Sequence, residues 1–365
     1  MHVCVIGAGV NGICCAIGLA EKGCRVTVYD SSKPLKKTSA KSSKLLHGGL
    51  RYLEHFEFKL VKKALAERAW WVKNAGEHTM IRRFYVPIYK GVSRSRIKLF
   101  LGVKTYEWLA GRHSLGASQH HTAEETIKHN PDLSTDKLLG SVSYMDVQMD
   151  DIKLSNWLVE RSKSLGVTII TNTVVKSIKT DGTVELADGV VLKYTKVINA
   201  AGPWAKELID RSQIKSAYSL ALVKGSHLVI NRTLPNPLVI QNQSDGRIVF
   251  ALPLGNNTLI GTTEVPVQAS DKVICSDQET EYLINSVNNV MKFKISTFDI
   301  HYNFTGVRPI VSDKFKIKDL TRASRDTAIE TIGNLTNIFG GKWTSAMYLG
   351  RDIANMTINS TQTKL

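Results

Sequence analysis

Three glycines near the start of the sequence have the spacing of a phosphate-binding turn. Gly7, Gly9 and Gly12 follow an apolar run and open a stretch whose apolar residues recur at helical spacing. The first glycine permits the tight bend, the second lets a pyrophosphate approach the backbone, and the third lets helix and strand pack closely. Asp30 closes the next apolar run, 18 residues after Gly12, where it can accept hydrogen bonds from a ribose. The pattern predicts a dinucleotide site.

The elements that must position this turn follow from hydrophobic periodicity. We expect a strand over His2–Ile6, a helix reaching Leu19 and a second strand over Arg25–Tyr29. Asp-Gly pairs at 181–182 and 188–189 predict a three-stranded antiparallel meander within residues 174–199, and several short strands are expected over 218–261. Further helices are expected over residues 53–72, 151–165, 277–291 and 344–356.

Length and composition bound the protein class. A chain of 365 residues suggests two domains, or one large α/β domain with insertions. An apolar fraction of 43% and a charged fraction of 22% exclude a disordered or fibrous protein. The net charge of +16 implies an anionic partner, for which a phosphorylated metabolite, a membrane surface and nucleic acid are the candidates.

The cysteines and the first residues indicate an intracellular protein. Five cysteines, an odd number, are clustered mainly in the first 24 residues, which argues against a disulfide framework. No Cys-x-x-Cys pair accompanies a His or Cys cluster, so we expect no metal site. We also expect no signal peptide and no transmembrane helix. These features predict a cytoplasmic location.

The order of elements after the turn favours FAD over NAD. In NAD enzymes the strands and helices usually continue to alternate. Here the chain enters the stretch 38–47 and a long helix, and only later forms the meander. An apolar strand at 197–199 then runs into a turn at Gly202, as needed where backbone passes close to a flat cofactor.

Several blocks of sequence resemble one family. The segment 42–55 (SSKLLHGGLRYLEH) is similar to the most diagnostic segment of FAD-dependent glycerol-3-phosphate dehydrogenases. Five further blocks resemble that family in the same order: 64–68 (ALAER), 222–227 (LVKGSH), 261–264 (GTTE), 306–309 (GVRP) and 340–344 (GGKWT). The resemblance implies a flavoprotein related to D-amino-acid oxidase that oxidises sn-glycerol 3-phosphate to dihydroxyacetone phosphate and passes electrons to a quinone or another acceptor. The family's usual C-terminal helical domain has no counterpart in these residues.

The fold implied is α/β, with a glutathione-reductase-like, Rossmann-type FAD-binding domain and an antiparallel-sheet substrate domain. We assign residues 1–82, 141–218 and 306–365 to the FAD-binding domain, and 83–140 and 219–305 to the substrate domain. FAD is expected to be held without a covalent bond. The turn and the resemblance together imply these cofactor-binding residues: Gly7, Gly9, Asn11, Gly12, Asp30, Thr38, Ser39, Ser42, Ser43, His47, Gly48, Gly49, Val174, Ala201, Gly202, Gly341, Lys342 and Thr344.

The substrate residues follow from the chemistry and the resemblance together. Removing a hydride from a secondary alcohol needs a base for the hydroxyl proton, and a phosphate needs two or three cations, among which Arg is favoured for its fork geometry. The resemblance implies His227 as the base or hydroxyl orienter, with Arg308 as its competitor. Around the phosphate it implies Arg51, Tyr52, Arg308, Arg325 and Lys342.

Residues 80–112 form a basic segment with interleaved aromatic side chains. It carries eight Lys or Arg residues against a single acid, Glu107. A solvated charged face and a patch that binds an anionic membrane surface both remain open, and the corresponding family segment faces the membrane. No nucleic-acid-binding motif accompanies the charge, so we expect no nucleic acid partner. A peripheral position on the inner face of the membrane and a homo-oligomer are also left open.

Two other functions compete with the polyol-phosphate dehydrogenase. An amine or amino-acid oxidase of the same superfamily would typically clamp a carboxylate with one Arg and one Tyr, so the surplus of cations disfavours it. A catalytically inactive flavoprotein, kept as a partner in an assembly, is the third interpretation. Ala40 and Lys41, which stand where small Ser and Ala residues are common, and the missing C-terminal domain are its support.

Overall fold

Two large sheets organise the chain in a computed structural model, which describes residues 1–91, 93–268, 271–313 and 327–362. The described helices are α1 (Val10–Glu21), α2 (Phe58–Asn74), α3 (Arg96–Ala110), α4 (Ala123–His129), α5 (Asp151–Ser164), α6 (Ala205–Arg211), α7 (Asp277–Asn288) and α8 (Ala346–Gln362). The described strands are β1 (His2–Ile6), β2 (Arg25–Tyr29), β3 (Leu45–Leu46), β4 (Thr79–Tyr89), β5 (Gln119–His121), β6 (Leu138–Met149), β7 (Thr168–Ile170), β8 (Val175–Ile178), β9 (Thr183–Leu186), β10 (Val191–Lys193), β11 (Lys196–Asn199), β12 (Tyr218–Ile230), β13 (Leu238–Gln241), β14 (Ile248–Leu254), β15 (Asn257–Gly261), β16 (Val265–Val267), β17 (Ile300–Asp313), β18 (Ala328–Ile332) and β19 (Leu335–Phe339).

The first sheet is mostly parallel and carries the glycine turn. Its strand order is β18-β19-β11-β1-β2-β7, with β1 parallel to both β11 and β2, and only β18 antiparallel to its neighbour. Helices α1, α5 and α8 pack together beside it; a Cβ on Gly18 of α1 would lie 2.6 Å from the carbonyl oxygen of Gly350 of α8. The expected strand–turn–helix–strand unit and the α/β class are confirmed.

The second sheet is mainly antiparallel. Its order is β16-β12-β15-β14-β13-β4-β6-β3, with β17 also paired to β12 and β5 to β6. The β12–β17 pair is long and places Val223 opposite Arg308 and His227 opposite Phe304. The expectation of only short strands over 218–261 was wrong here, because β12 runs unbroken from Tyr218 to Ile230.

The smaller elements have the types predicted from the sequence, but several begin or end at other residues. Strands β8, β9 and β10 form the predicted antiparallel meander. The helix expected from residue 53 begins instead at Phe58, because a 3₁₀ helix ends at His55 and Phe56 takes a left-handed conformation (φ 58°). The last helix begins at Ala346 and extends past residue 356.

The division into two domains stays a prediction. The strands of the parallel sheet all come from residues assigned to the FAD-binding domain. All four proposed boundaries, after residues 82, 140, 218 and 305, fall inside strands of the second sheet: β4, β6, β12 and β17.

Candidate active site

A cavity of about 910 Å³ is lined by residues from both sheets. Its wall includes the turn after β1 and residues 200–204 after β11, so it lies at the carboxyl ends of parallel strands, where open α/β sheets bind ligands. All the predicted cofactor residues line it except Gly12 and Gly48. Gly12 lies against the carbonyl group of Gly7, and the Gly48 N–H donates to Tyr106 Oη at 2.7 Å.

The glycine turn leaves room for a ligand above the start of α1. Gly7 has φ 98°, and a Cβ there would lie 2.6 Å from the carbonyl oxygen of Ala200. A Cβ on Gly9 would approach only Ser39 Oγ, at 3.4 Å, because Gly9 borders the cavity. Ser39 Oγ accepts a hydrogen bond from the Val10 N–H at 3.0 Å. The helix N-terminus and this open space fit a pyrophosphate.

The carboxylate of Asp30 supports the turn as well as facing the cavity. Its Oδ2 accepts from the Ala8 N–H at 2.7 Å, while Oδ1 accepts from the Ser32 N–H and hydroxyl at 2.7 and 2.9 Å. A carboxylate offers about four acceptor directions, so these bonds leave room for a ribose hydroxyl. The sequence predicted the ribose contact and missed the bond to the turn.

Beside the glycine turn, hydrogen bonds join α1 to the segment after β19, and that segment to the one after β3. Asn11 Nδ2 donates to the Gly340 carbonyl at 3.0 Å, and the His47 N–H donates to Thr344 Oγ1 at 3.1 Å. Asn11 Oδ1 is buried and accepts no hydrogen bond from the described residues. A buried acceptor without a donor fits a ligand that carries hydroxyl groups. The ribityl chain of FAD carries such hydroxyl groups.

Replacing Gly9 by Val is expected to weaken FAD binding by roughly ten- to a hundredfold. The branched side chain would enter the space that fits the pyrophosphate, and overpacking typically costs about 1–3 kcal/mol. Titration of the FAD-stripped protein with FAD measures this effect. Gly76→Val is the matched control, because a Cβ on Gly76 has no atom within 4 Å. Parental FAD affinity in Gly9→Val would show that this turn does not hold the cofactor.

Cationic side chains gather on one part of the cavity wall. Arg51 Nη2 donates to Glu264 Oε1 at 3.3 Å, and Arg308 Nη1 lies 3.6 Å from the same oxygen. Lys342 Nζ lies 4.5 Å from the centroid of the Tyr52 ring. All five residues line the cavity. The fold therefore brings Arg51 and Arg308 together at Glu264 and places Lys342 beside Tyr52 on the same cavity. Arg325, the other residue predicted to contact the phosphate, lies outside the described residues.

Two residues of this wall were not among those predicted from the sequence. Glu264 carries a negative charge between Arg51 and Arg308, and Thr262 Oγ1 accepts from Arg308 Nη2 at 2.8 Å. Both belong to the block 261–264, whose resemblance to the family could have marked them. Composition and periodicity carried no signal for either.

His227 lies behind the cavity wall rather than on it. Its ring is buried against Phe304, with a centroid distance of 4.8 Å, and Nε2 is 2.8 Å from the hydroxyl of Ser43, which does line the cavity. Burial first, and then the positive charges of Arg308 and Lys44, hold the pKa of His227 well below its ordinary value. The imidazole is therefore neutral at neutral pH, and one of its ring nitrogens carries no proton.

The basic segment forms strand β4, helix α3 and the turns around them. On α3, Ile97, Leu101 and Trp108 are 72%, 60% and 76% exposed and share one face by their helical spacing. Arg94 is not a solvated charge, because its Nε lies 2.6 Å from Glu54 Oε1. Among the described residues, no helix combines the length and apolar character needed to cross a bilayer.

Curated proteins of known name resemble the chain over most of its length. It is 33% identical over 362 residues to a glycerol-3-phosphate dehydrogenase of Pseudomonas aeruginosa, which covers 94% of this chain and 69% of that protein. It is 32% identical over 356 residues to a D-erythritol 1-phosphate dehydrogenase of Brucella abortus, with 93% and 70% covered. An aerobic glycerol-3-phosphate dehydrogenase of Staphylococcus saprophyticus is 29% identical over 373 residues, with 97% and 66% covered. The chain thus spans about two thirds of the length of these relatives.

Solved structures share the fold. The glycerol-3-phosphate dehydrogenase from Bacillus halodurans, solved with FAD, has a TM-score of 0.78 at 21% identity and covers 99% of this chain and 65% of its own. Glycine oxidase from Geobacillus kaustophilus has a TM-score of 0.73 at 18% identity, with 98% and 93% covered. Residues 2–356 match the family described as FAD dependent oxidoreductase (DAO). This match spans nearly the whole sequence, and the chain therefore belongs to the FAD dependent oxidoreductase family.

Proposed function

We propose that the protein oxidises a polyol phosphate, with sn-glycerol 3-phosphate as the leading substrate and dihydroxyacetone phosphate as the product. The observation that carries this proposal is the group of three cations, Arg51, Arg308 and Lys342, on the wall of the cavity that also contains the glycine turn. The curated relatives named as glycerol-3-phosphate and erythritol phosphate dehydrogenases support a phosphorylated substrate.

The cation group is suited to hold a phosphate. Arg51 and Arg308 present guanidinium forks, which bind phosphate oxygens in pairs, and Lys342 adds a point charge. Glu264 accepts from Arg51 and lies close to Arg308, so it fixes both guanidinium groups at some cost in net positive charge. Bound FAD, held without a covalent bond, supplies the hydride acceptor.

The proton of the substrate hydroxyl is proposed to leave by way of Ser43 and His227. Ser43 lines the cavity and its Oγ is 2.8 Å from His227 Nε2, so a neutral imidazole can draw the proton through the serine hydroxyl. Arg308 cannot be the base because a guanidinium stays protonated. Its role is to orient the substrate and to stabilise the negative charge that develops on the substrate oxygen as its proton leaves.

Anaerobic titration of the flavoprotein tests the function directly. We expect sn-glycerol 3-phosphate or D-erythritol 1-phosphate to bleach the oxidised flavin absorbance, while glycine and D-amino acids leave it unchanged. Bleaching by an amino acid alone would instead support the amino-acid oxidase, which the glycine oxidase fold keeps as the second candidate. No bleaching by any substrate would support an inactive flavoprotein.

The cavity also extends towards the exposed apolar face of α3. Phe56 and Leu101, which are 77% and 60% exposed, line the cavity together with Lys98. An apolar opening beside basic side chains suits a quinone in an anionic bilayer. We therefore propose a quinone-type electron acceptor and a peripheral position on the inner face of the cytoplasmic membrane, with α3 against the lipid.

Replacing Arg96 and Arg112 together by Gln is expected to weaken binding to vesicles containing phosphatidylglycerol by roughly thirtyfold. Each basic residue near an anionic surface contributes about 1 kcal/mol, and both side chains are exposed. Vesicle sedimentation at low and high salt measures the effect. Lys153→Gln with Lys163→Gln, on α5, removes the same charge elsewhere. Vesicle binding that neither salt nor the arginine changes alter would rule out this patch.

A further inference from the structure

A buried carboxylate lies behind the strand that carries the candidate base. Glu279 of α7 is 4% exposed. Its Oε1 accepts from Ser226 Oγ at 2.8 Å and from Thr263 Oγ1 at 2.6 Å, and its Oε2 is 2.7 Å from Lys224 Nζ. The Ser276 N–H donates to the same Oε2 at 3.1 Å. Glu279 therefore joins β12, the segment after β15 and the start of α7.

Alternation along β12 separates this cluster from the cavity. Lys224 and Ser226 point towards Glu279, as their hydrogen bonds require. Gly225 and His227, which alternate with them along the strand, face the other way. A Cβ on Gly225 would lie 2.7 Å from Arg308 Nη2, and His227 bonds to Ser43. The Glu279 carboxylate thus lies on the opposite face of β12 from the side chains proposed to bind the phosphate.

The segment 262–264 repeats this alternation and connects the two sides. Thr262 Oγ1 accepts from Arg308 Nη2, and Glu264 Oε1 pairs with Arg51 and Arg308. Thr263, between them, points away and donates to Glu279. Thr263 Oγ1 also accepts from the Ser226 N–H at 2.9 Å. The position of both cavity-facing side chains therefore depends on how Thr263 is held.

The carboxylate of Glu279 remains charged at neutral pH. Burial acts to raise the pKa of Glu279, but hydrogen bonds from Lys224, Thr263 and Ser276 outweigh it and hold the pKa at about 2. A buried polar group with all its partners rigidifies its surroundings. Glu279 can therefore act as a fixed anchor for the segment that contacts Arg308.

We propose that Glu279 and Thr263 are positioning residues that fix the guanidinium of Arg308 for the substrate phosphate, through Thr262 and Glu264. The inference rests on the proposed function, because it assigns a role in the same anion site. Neither residue lines the cavity. They restrict the conformations of the Arg308 side chain before the phosphate binds, an effect known as preorganisation.

The test replaces Thr263 by Val, which keeps the shape and removes the hydroxyl, and by Ser, which restores it. Inorganic phosphate is the probe: its competitive inhibition constant is measured against sn-glycerol 3-phosphate in stopped-flow flavin reduction. We expect Thr263→Val to raise the KM for sn-glycerol 3-phosphate and the inhibition constant for phosphate together by roughly tenfold, the usual effect of one lost hydrogen bond. Thr263→Ser is expected to stay within about twofold of the parent.

Glu279→Gln is expected to give the same parallel rise, and Glu281→Gln is its matched control. Glu281 lies two residues further along α7 and is exposed. A merely structural role would lower thermal stability or flavin content and leave the two constants unchanged. Glu279 also caps α7 through Ser276, so if Glu279→Gln does not fold, the Thr263 pair decides the question alone.

Two outcomes separate the inference from the function on which it rests. A parent that is reduced by sn-glycerol 3-phosphate, with Thr263→Val equal to it in both constants, overturns the positioning role and leaves the function intact. A parent that is neither reduced by sn-glycerol 3-phosphate nor inhibited by phosphate overturns both.

Discussion

Replacing Arg308 by Ala is expected to lower kcat/KM for sn-glycerol 3-phosphate by about ten- to a hundredfold while the flavin content stays at the parental level. Loss of one charge-assisted hydrogen bond typically costs about 1.5–3 kcal/mol. Removing the Arg308 guanidinium should also leave the negative charge of Glu264 less well compensated, because Arg308 Nη1 lies 3.6 Å from Glu264 Oε1. Lys342→Ala should act in the same direction. Stopped-flow flavin reduction measures both variants.

Conservative and remote changes make this prediction specific. Arg308→Lys should restore only part of the rate, because an ammonium keeps the charge and loses the fork. Arg232→Ala is the control: Arg232 pairs with Asp132 at 3.0 Å and does not line the cavity. Inorganic phosphate should inhibit the parent competitively and the Arg308 variant much less. If both alanine variants reduce at parental rates and affinities, the polyol-phosphate proposal loses its main support.

Replacing Asp146 by Ala is expected to lower the free energy of unfolding by about 3–5 kcal/mol, because it leaves a buried guanidinium unpaired. The side chains of Arg68 and Asp146 are 1% and 3% exposed, and Nη1 lies 3.1 Å from Oδ1. Tyr106 donates to the other carboxylate oxygen at 2.7 Å. Burial first, and then the charge of Asp146, raise the pKa of Tyr106 well above its ordinary value, so it remains a hydroxyl.

Urea unfolding at saturating FAD measures this effect, and two further variants serve as comparisons. Glu160→Ala breaks an exposed pair with Lys163 and should cost less than about 1 kcal/mol. Arg68→Met with Asp146→Leu removes both charges and should recover most of the loss. Because the Gly48 N–H donates to Tyr106 Oη, Asp146→Ala should also weaken FAD binding. An unfolding free energy within 1 kcal/mol of the parent would contradict the prediction.

The sequence by itself determined local elements of the fold, among them the glycine turn and a helix. The turn at Gly7, Gly9 and Gly12 is local: its spacing, the flanking apolar runs and Asp30 lie within 30 residues, so short-range sterics and periodicity specify it. The helix over residues 151–165 is confirmed as Asp151–Ser164 for the same reason, since Asp150 caps one end and Gly166 stops the other. Local chemistry was sufficient in both places.

The cationic part of the cavity wall was predicted in part, and only through resemblance. Arg51 and Arg308 were named from family-like blocks, and the cavity brings them together. Periodicity could not relate them, because they are 257 positions apart in the chain and meet only through the pairing of β12 with β17 and the loop after β15. Their common contact, Glu264, was missed for that reason.

The tertiary structure alone decided which side chains face the cavity and which lie behind it. A one-residue step along β12 moves a side chain to the other face of the sheet, so His227 and Ser226 serve opposite sides although they are adjacent. The sequence named His227 as a candidate base on the substrate side; the fold places Ser43, 184 positions away, between His227 and the cavity. Likewise Arg94 is one of the eight basic residues of the segment 80–112, and the fold pairs it with Glu54 from outside that segment. Such contacts depend on long-range register and packing, and no local pattern in the sequence encodes either.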